Sequence, residues 1–265
     1  IQVFDGAEFD INDIPRRGKT ALVLISQSGE TKDLLRCIPI GRKKNLILIG
    51  ICNVVDSYIS REVDCGCYLN AGRENSVAST KAFTSQVIVL ILLSLWFSQI
   101  QKVNNIKRKK VIDDLRKLYL DLEICLNIKE EVKKYIDFIN NPNFNSLFIL
   151  GKGKNKYICD EGALKIKEIT YIHAESYSGS SLKHGPFGLL EENFPIIIVD
   201  LEDEYHAKMC NVYEEVKSRG AKVLTITDNP HLNRENIILI PKNKTFSFLL
   251  AVLPFQFLAY YIALK

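Results

Sequence analysis

The stretch TALVLISQSGET, from Thr20 to Thr31, decides the fold of this chain. An apolar run of strand type leads into a loop of small hydroxyl residues around Gly29, and a helical pattern follows. Free N–H groups at the start of a helix attract anions, and glycine allows the backbone to approach them closely. A phosphate-binding loop is therefore predicted, and its side-chain donors are Ser26, Gln27, Ser28 and Thr31. Ordinary capping, in which Ser28 or Thr31 closes the first helical turn, is the alternative.

Five further apolar runs share the character of this first strand, and helical patterns separate them. The six strand-like runs are 21–25, 45–51, 146–150, 194–199, 222–227 and 237–240. Short apolar strands that alternate with helices are typical of parallel sheets covered by helices on both faces. The sequence therefore predicts an α/β fold.

The chain is long enough for two domains. Its 265 residues are 47% hydrophobic, which allows two cores of moderate size. A long helical stretch from 80 to about 140 interrupts the alternation and is broken near 103–105 and near 127. The turn signal NNPN at 140–143 then precedes a new strand. We expect a first domain over 1–102, a helical connection over 103–143 and a second domain over 144–265.

Charge and apolar patterning limit the function classes. The net charge is +4, and 35 basic residues are scattered among 31 acidic ones, so nucleic acid is not an expected partner. The basic run KRKK at 107–110 is predicted to be a solvated helix face. The apolar run at 87–97 is too short to cross a bilayer and is predicted to be a buried helix, so no membrane partner is expected.

The seven cysteines indicate reduced thiols. Their number is odd and most of them lie inside apolar runs, which is typical of a cytoplasmic protein. Cys65 and Cys67 are two residues apart, but no second pair or nearby histidine completes a zinc site, and no metal is expected. The GKGK stretch at 151–154 is a poor match to a dinucleotide loop because a third glycine is missing, so a nicotinamide cofactor is disfavoured.

Ionisable residues concentrate in EGALKIKEITYIHAESYSGSSLKHGP, residues 161–186. If 160–172 is helical, then Glu161, Lys165 and Glu168 lie on one face together with two apolar residues. Half-burial of such a face would move the pKa values of its charged groups towards neutrality. A surface ion pair at i, i+4 spacing is the alternative.

Two further segments carry candidate site residues. His184 lies in LKHGP, where the turn at Gly185 and Pro186 holds it for proton exchange near pH 7, unless it is an ordinary surface histidine. In VASTKAFTSQ, residues 77–86, Ser79 or Thr80 is a natural N-cap. Lys81 is harder to explain, because a cation at the start of a helix is unfavourable unless an anion lies nearby.

These motifs match a known family in order and spacing. SQSGET, CGCYLNAG, VASTKAFTSQ, EGALKIKEITYIHAE and LKHGP together resemble the isomerase part of glutamine–fructose-6-phosphate aminotransferase (glucosamine-6-phosphate synthase) over nearly the whole chain. The resemblance implies two tandem sugar-isomerase (SIS) domains, each a parallel sheet between two layers of helices. It also implies that fructose 6-phosphate and glutamine-derived ammonia become glucosamine 6-phosphate without a cofactor, in hexosamine and UDP-N-acetylglucosamine synthesis.

The resemblance also assigns roles to the candidate residues. Glu168 is the base that moves a proton between C1 and C2, Lys165 supports charge on the open-chain oxygens, and Glu161 orients the site. His184 assists ring opening and reaches the pocket of a neighbouring subunit, which implies a homodimer. The phosphate is held by the loop side chains named above, and the same pocket is lined by Val77, Ser79 and Lys81.

The chain departs from the family at several points. The resemblance implies that the glutaminase domain, the first strand and Cys-Gly-Thr-Ser loop of the first SIS domain, and the C-terminal tail whose lysine forms a Schiff base are not among these residues. The chain is therefore not expected to hydrolyse glutamine, and the fragment alone can be inactive. Arg73, Asn75, Ser76 and Ser181 replace the family's usual residues. Two alternatives stay open: an amino-sugar-phosphate deaminase of SIS type, and a non-catalytic sugar-phosphate-binding regulator.

Overall fold

The computed structural model describes residues 1–139 and 144–265. The chain forms two compact units, 1–103 and 104–265. The helices between 105 and 139 belong to the second unit, where they pack against its C-terminal helices. The turn predicted at 140–143 lies outside the described residues, and the three-part division of the chain stays a prediction.

The first unit is built on a three-stranded parallel sheet in the order β1-β2-β3. Its elements are β1 (Ala21–Ser26), α1 (Lys32–Leu35), α2 (Cys37–Lys43), β2 (Ile47–Cys52), α3 (Tyr58–Glu62), β3 (Cys65–Tyr68) and α4 (Lys81–Ile100). Leu24, Leu48 and Ile59 form part of its core. The outward side chains Val23 and Ile25 of the edge strand β1 are exposed, so helices cover this sheet less completely than predicted.

Helix α4 differs from its sequence-based prediction. It is 20 residues long, and among them only Ala82 is buried. Val89 and Leu93 pack against Ile51, Leu69 and Ala82, while other faces stay open. The prediction of a buried helix is therefore wrong, because only one side of α4 contacts the rest of its unit. By length and composition alone α4 is able to cross a membrane, but core helices of soluble proteins meet the same criterion.

The second unit has a five-stranded parallel sheet in the order β5-β4-β6-β7-β8. Its helices are α5 (Asn105–Leu126), α6 (Lys129–Lys133), α7 (Ile136–Ile139), α8 (Lys154–Thr170), α9 (His206–Lys217), α10 (Ser247–Leu250) and α11 (Val252–Ala263). Its strands are β4 (Ser146–Gly151), β5 (His173–Ser178), β6 (Pro195–Val199), β7 (Lys222–Thr227) and β8 (Ile237–Leu239). Both sheets are parallel and carry helices, so the predicted α/β class is confirmed.

The strand order of the second unit places a crevice between β4 and β6. From β4 the chain runs through α8 to β5 on one side, and from β6 it runs through α9 to β7 on the other. Every residue of β6 is buried, which explains its unbroken apolar sequence. Loops after the two strands leave the same edge of the sheet, which is where open parallel sheets bind ligands.

All seven cysteines lie in the described residues, and none forms a disulfide bond. Four of them, Cys37, Cys52, Cys125 and Cys159, are buried. Burial raises the pKa of the Cys125 thiol to about 12. These thiols therefore act as small apolar core residues, in agreement with the sequence-based interpretation.

Candidate functional site

The loop after β1 is held together by its own hydroxyl groups. The Ser26 Oγ lies 2.8 Å from the Thr31 Oγ1 and accepts a 2.9 Å hydrogen bond from the Gly29 N–H. The Ser28 Oγ accepts a 3.1 Å hydrogen bond from the Glu30 N–H. Thr31 occupies the N-cap position of α1, yet its side chain makes no capping bond. Neither hydroxyl closes the first turn of α1, so the capping alternative does not describe this loop.

Gly29 is required by both conformation and space. Its φ of 69° lies in the left-handed region, and a Cβ at this position would lie 2.0 Å from the Ser57 Oγ. The start of α3 binds the same loop, because the Ile59 N–H donates to the Gly29 carbonyl at 3.0 Å. The Tyr58 N–H donates to the Glu30 carboxylate at 2.8 Å. The loop is therefore fixed before any ligand arrives.

Free donors remain in this loop. Among the residues that the structure describes, the backbone N–H groups of Ser28, Thr31 and Lys32 have no acceptor. Helix α1 has only four residues, so its dipole is smaller than the sequence pattern implied. An anion here would be held by N–H groups and hydroxyls rather than by a helix macrodipole.

Asn53, which the sequence analysis did not identify, joins the loop to the segment after β3. Its N–H donates to the Gln27 carbonyl at 3.1 Å. Its side-chain amide donates to the Gly72 carbonyl at 2.8 Å and accepts from the Ala71 N–H at 3.0 Å. One residue at the end of β2 thus places residues 71–72 next to the candidate phosphate loop.

Glu74, just before the segment at 77–81, provides an anion at the start of α4, where Lys81 lies. The Glu74 Oε2 accepts hydrogen bonds of 3.2 Å from the N–H groups of Thr80 and Ala82. This carboxylate caps α4, whereas the Thr80 side chain makes no capping bond. Val77 is almost fully exposed and Ser79 is partly buried. Lys81 is the exposed first residue of α4.

Helix α8 brings together the three ionisable groups predicted to share a face. The Lys165 Nζ lies 2.8 Å from the Glu168 Oε2 and 3.4 Å from the Glu161 Oε1. The Lys165 side chain is only 2% exposed, and Glu161 is 9% exposed. The surface ion-pair alternative is therefore wrong for Lys165 and Glu161. The Glu168 side chain is 31% exposed and forms the open end of this charged row.

Burial changes the acidity of Glu161. Desolvation raises the pKa of its carboxyl to about 7, against the opposing effect of Lys165. Its Oε1 makes no hydrogen bond within the described residues. At neutral pH Glu161 is therefore partly protonated, and Lys165 pairs mainly with Glu168. Such a perturbed carboxyl beside a buried cation is typical of functional sites.

His184 ends a short 3-10 turn, Leu182–His184, and is exposed. Gly185 follows with a φ of 142°, which confirms the predicted turn. Within the described parts of the chain the His184 imidazole makes no hydrogen bond or ion pair. The fold therefore leaves this side chain free to contact a ligand or another subunit.

A second polar cluster, not found from sequence, follows β6. Asp200 is fully buried and lies 2.8 Å from the His206 Nδ1 and 2.6 Å from the Arg234 Nη2. The Cys210 Sγ lies 3.7 Å from both the His206 Nε2 and the Arg234 Nη2. Asp200, His206 and Cys210 have the spacing of metal ligands. Because the Arg234 guanidinium already neutralises Asp200, the geometry favours a structural ion cluster.

Comparison with known proteins agrees with this fold. Residues 5–95 and 143–264 match the SIS domain family. The C-terminal domain of glucosamine-fructose-6-phosphate aminotransferase from Francisella tularensis is 32% identical with a TM-score of 0.87, covering 96% of this chain and 75% of that one. A glucosamine-6-phosphate deaminase from Thermotoga maritima, at 23% identity and a TM-score of 0.74, covers 98% of this chain and 75% of that one and shows the shared fold alone.

Two curated relatives are similar to this chain in sequence over nearly its whole length. A probable glutamine–fructose-6-phosphate aminotransferase of Acanthamoeba polyphaga mimivirus is 44% identical over 100% of this chain and 44% of its own length. A glutamine–fructose-6-phosphate aminotransferase of Chlorobaculum tepidum is 39% identical over 91% of this chain and 40% of its own length. This chain therefore spans less than half the length of these relatives. It belongs to the SIS-domain family, in the branch formed by the C-terminal domains of glutamine–fructose-6-phosphate aminotransferases.

Proposed function

We propose that this chain binds fructose 6-phosphate in its open-chain form and moves a proton between the first two carbons. In the full-length protein, with ammonia from a glutaminase domain, the product would be glucosamine 6-phosphate. The observation that carries this proposal is the Lys165 ammonium, buried between Glu161 and Glu168 on α8. Family membership supplies the substrate class.

The chemistry follows from the charges on α8. Moving a proton next to a carbonyl or imine needs a base and a cation that stabilises the enolate-like intermediate. Glu168 is the partly exposed carboxylate and takes the role of the base. Lys165 is buried and takes the role of the cation, and its electrostatic stabilisation of the intermediate is strong because water is excluded around it. Glu161, with its raised pKa, orients Lys165 without fully neutralising it.

The loop at 26–31 takes the role of the phosphate site. Its free N–H groups and the hydroxyls of Ser28 and Thr31 are donors only a few residues apart. Val77, Ser79 and Lys81 are proposed to line the same pocket, and Lys81 adds a positive charge that suits a phosphate. These roles require no metal or cofactor.

Replacing Ser28 and Thr31 by Ala tests this assignment. We expect the double variant to bind fructose 6-phosphate roughly 10–100 times more weakly, while the much weaker binding of unphosphorylated fructose is unchanged. Isothermal titration calorimetry with both sugars measures the difference. Ser218→Ala, an exposed serine of the second unit, is the matched control. An equal loss for the two sugars would mean that the loop does not recognise phosphate.

We further propose a homodimer in which His184 serves the site of the neighbouring subunit. The exposure of His184 and its lack of a hydrogen-bond partner within the described chain support this role. The reduced thiols support a cytoplasmic location, which stays a prediction. The absence of nucleic-acid and membrane partners also stays a prediction.

A further inference from the structure

The second unit contains a polar cavity of about 250 Å³ that the proposed function does not use. It lies at the crevice between β4 and β6, because its walls include Lys154 after β4 and the loop at 201–203 after β6. Asp228, directly after β7, and the segment 242–244 complete it. A crevice forms where the connections after two neighbouring strands leave in opposite directions. Open parallel sheets usually bind their ligands in such a crevice.

The interior of this cavity is rich in hydrogen-bond acceptors. Asp228 is only 4% exposed and accepts a 2.8 Å hydrogen bond from the Glu202 N–H. Asp203 accepts from the Tyr205 N–H at 2.8 Å and from the Asn155 side-chain amide at 2.9 Å. Asn155 is 1% exposed, and its Oδ1 has no partner within the described residues. Asn155 thus holds the Asp203 carboxylate in place, and the carboxylates of Asp203 and Asp228 form the acceptors of the cavity wall.

The mouth of the cavity is basic. Lys154, Lys242 and Lys244 are exposed, and Lys242 pairs with Glu202. Lys154 and Lys244 form no ion pair with a carboxylate anywhere in the described chain. The Lys154 ammonium lies 5.3 Å from the centroid of the Phe248 ring. Two ammonium groups without a carboxylate partner at the mouth of the cavity favour a phosphate.

The two units differ in the chemistry of equivalent loops. The order β6-β7-β8 repeats the order β1-β2-β3, so the loop after β6 corresponds to the candidate phosphate loop after β1. Where the first loop has hydroxyl donors, the second reads DLEDE at 200–204. Carboxylates repel a phosphate at that position and attract an ammonium group instead.

We propose that this cavity is a second binding site, for a small molecule that carries an ammonium group and a phosphate, the class that includes amino-sugar phosphates. The ammonium group faces Asp203 and Asp228, and the phosphate faces Lys154 and Lys244. The cavity volume suits a monosaccharide rather than a dinucleotide. The site uses none of the residues assigned to isomerisation, so it stands independently of the proposed function.

Calorimetric titration with glucosamine 6-phosphate tests the proposal. The protein carries Ser28→Ala and Thr31→Ala, which weakens the first phosphate site. We expect binding to persist in this background and to fall roughly tenfold or more when Lys154→Gln and Lys244→Gln are added. Both lysines are exposed, so these changes leave the fold intact. Glucose 6-phosphate, which lacks the ammonium group, and glucosamine, which lacks the phosphate, should each bind at least roughly tenfold more weakly.

Three results would overturn the second site: no binding in the loop-variant background, unchanged affinity after the two lysine substitutions, or equal affinity for glucose 6-phosphate and glucosamine 6-phosphate. Asp228→Asn, checked for folding by circular dichroism, is the second variant and should remove the preference for the aminated sugar. Failure of the proposed function would appear separately, as unchanged binding of fructose 6-phosphate in the loop variant.

Discussion

At the scale of single residues, the burial of Lys165 between two carboxylates is the chemical centre of this chain. An uncompensated ammonium group at this depth would be costly, so at least one carboxylate must stay charged. Glu168, which water partly reaches, carries that charge. Glu161 then holds a proton at a pH where most glutamates have lost theirs.

This protonation predicts a pH-dependent stability. In the unfolded chain Glu161 titrates near pH 4.5, and in the folded chain its pKa is about 7, so the folded state binds more protons between these values. The stability that Glu161 contributes is fully present below pH 4.5 and is lost as the pH rises through about 7. Relative to Glu161→Gln, the wild-type free energy of unfolding should fall by roughly 1–3 kcal/mol from pH 5 to pH 8.

Urea unfolding at the two pH values measures this difference. Glu214→Gln, at an exposed position of α9, is the matched control and should follow the wild-type curve. A wild-type protein and a Glu161→Gln variant with parallel pH profiles would show that Glu161 is charged throughout this range.

At the scale of elements, the turn from β1 into α1 depends on how closely α3 packs against Gly29. We predict that Gly29→Ala weakens binding of fructose 6-phosphate at least roughly tenfold and lowers stability by about 1–3 kcal/mol, because the added Cβ meets Ser57 and the φ is left-handed. Titration and thermal unfolding measure both effects. Gly188→Ala, where a Cβ meets nothing within 4 Å, is the control.

A second substitution separates the two causes. Adding Ser57→Gly removes the clash but not the strain of the left-handed conformation, so it should restore part of the lost affinity. Unchanged affinity in Gly29→Ala alone would show that the loop does not need its present shape.

The observed strands and helices show which structural features can be predicted from sequence patterns. All six apolar strands were predicted within two residues of their observed ends, and the breaks near 103–105 and 127 coincide with the ends of α5. The strands β3 and β5 were missed because their sequences, CGCY and HAESYS, lack a continuous apolar run. The charged face of α8 was predicted because helical spacing is local.

Contacts between residues that are far apart in sequence could not be predicted from local sequence patterns. No sequence motif marks three of the residues that shape the candidate site, Asn53, Ser57 and Glu74. Their roles depend on contacts that form only when the chain is folded. The Asp200 cluster likewise joins His206 to Arg234, 28 positions apart, and spacing alone does not reveal it. The exposure of α4 was not predicted, because apolar content does not tell whether a partner covers a helix.

At the scale of the whole molecule, the proposed homodimer makes a prediction about mixed subunits. Glu168→Gln and His184→Asn should each be inactive alone. If His184 serves the neighbouring site, a mixed dimer holds one complete site, so equal mixing after reversible dissociation should restore about a quarter of wild-type activity. Activity that stays at background after confirmed subunit exchange would place both residues in one subunit's site.

Proton transfer by Glu168 on fructose 6-phosphate is the chemistry that the charged groups of α8 are proposed to perform. Incubation with fructose 6-phosphate in D2O, followed by NMR, reports deuterium entering the first two carbons of the sugar. We expect exchange by the wild-type protein and a loss of roughly 10²–10⁴-fold in Glu168→Gln, with fructose 6-phosphate still bound. Exchange by Glu168→Gln at the wild-type rate, or none by the wild-type protein, would contradict it.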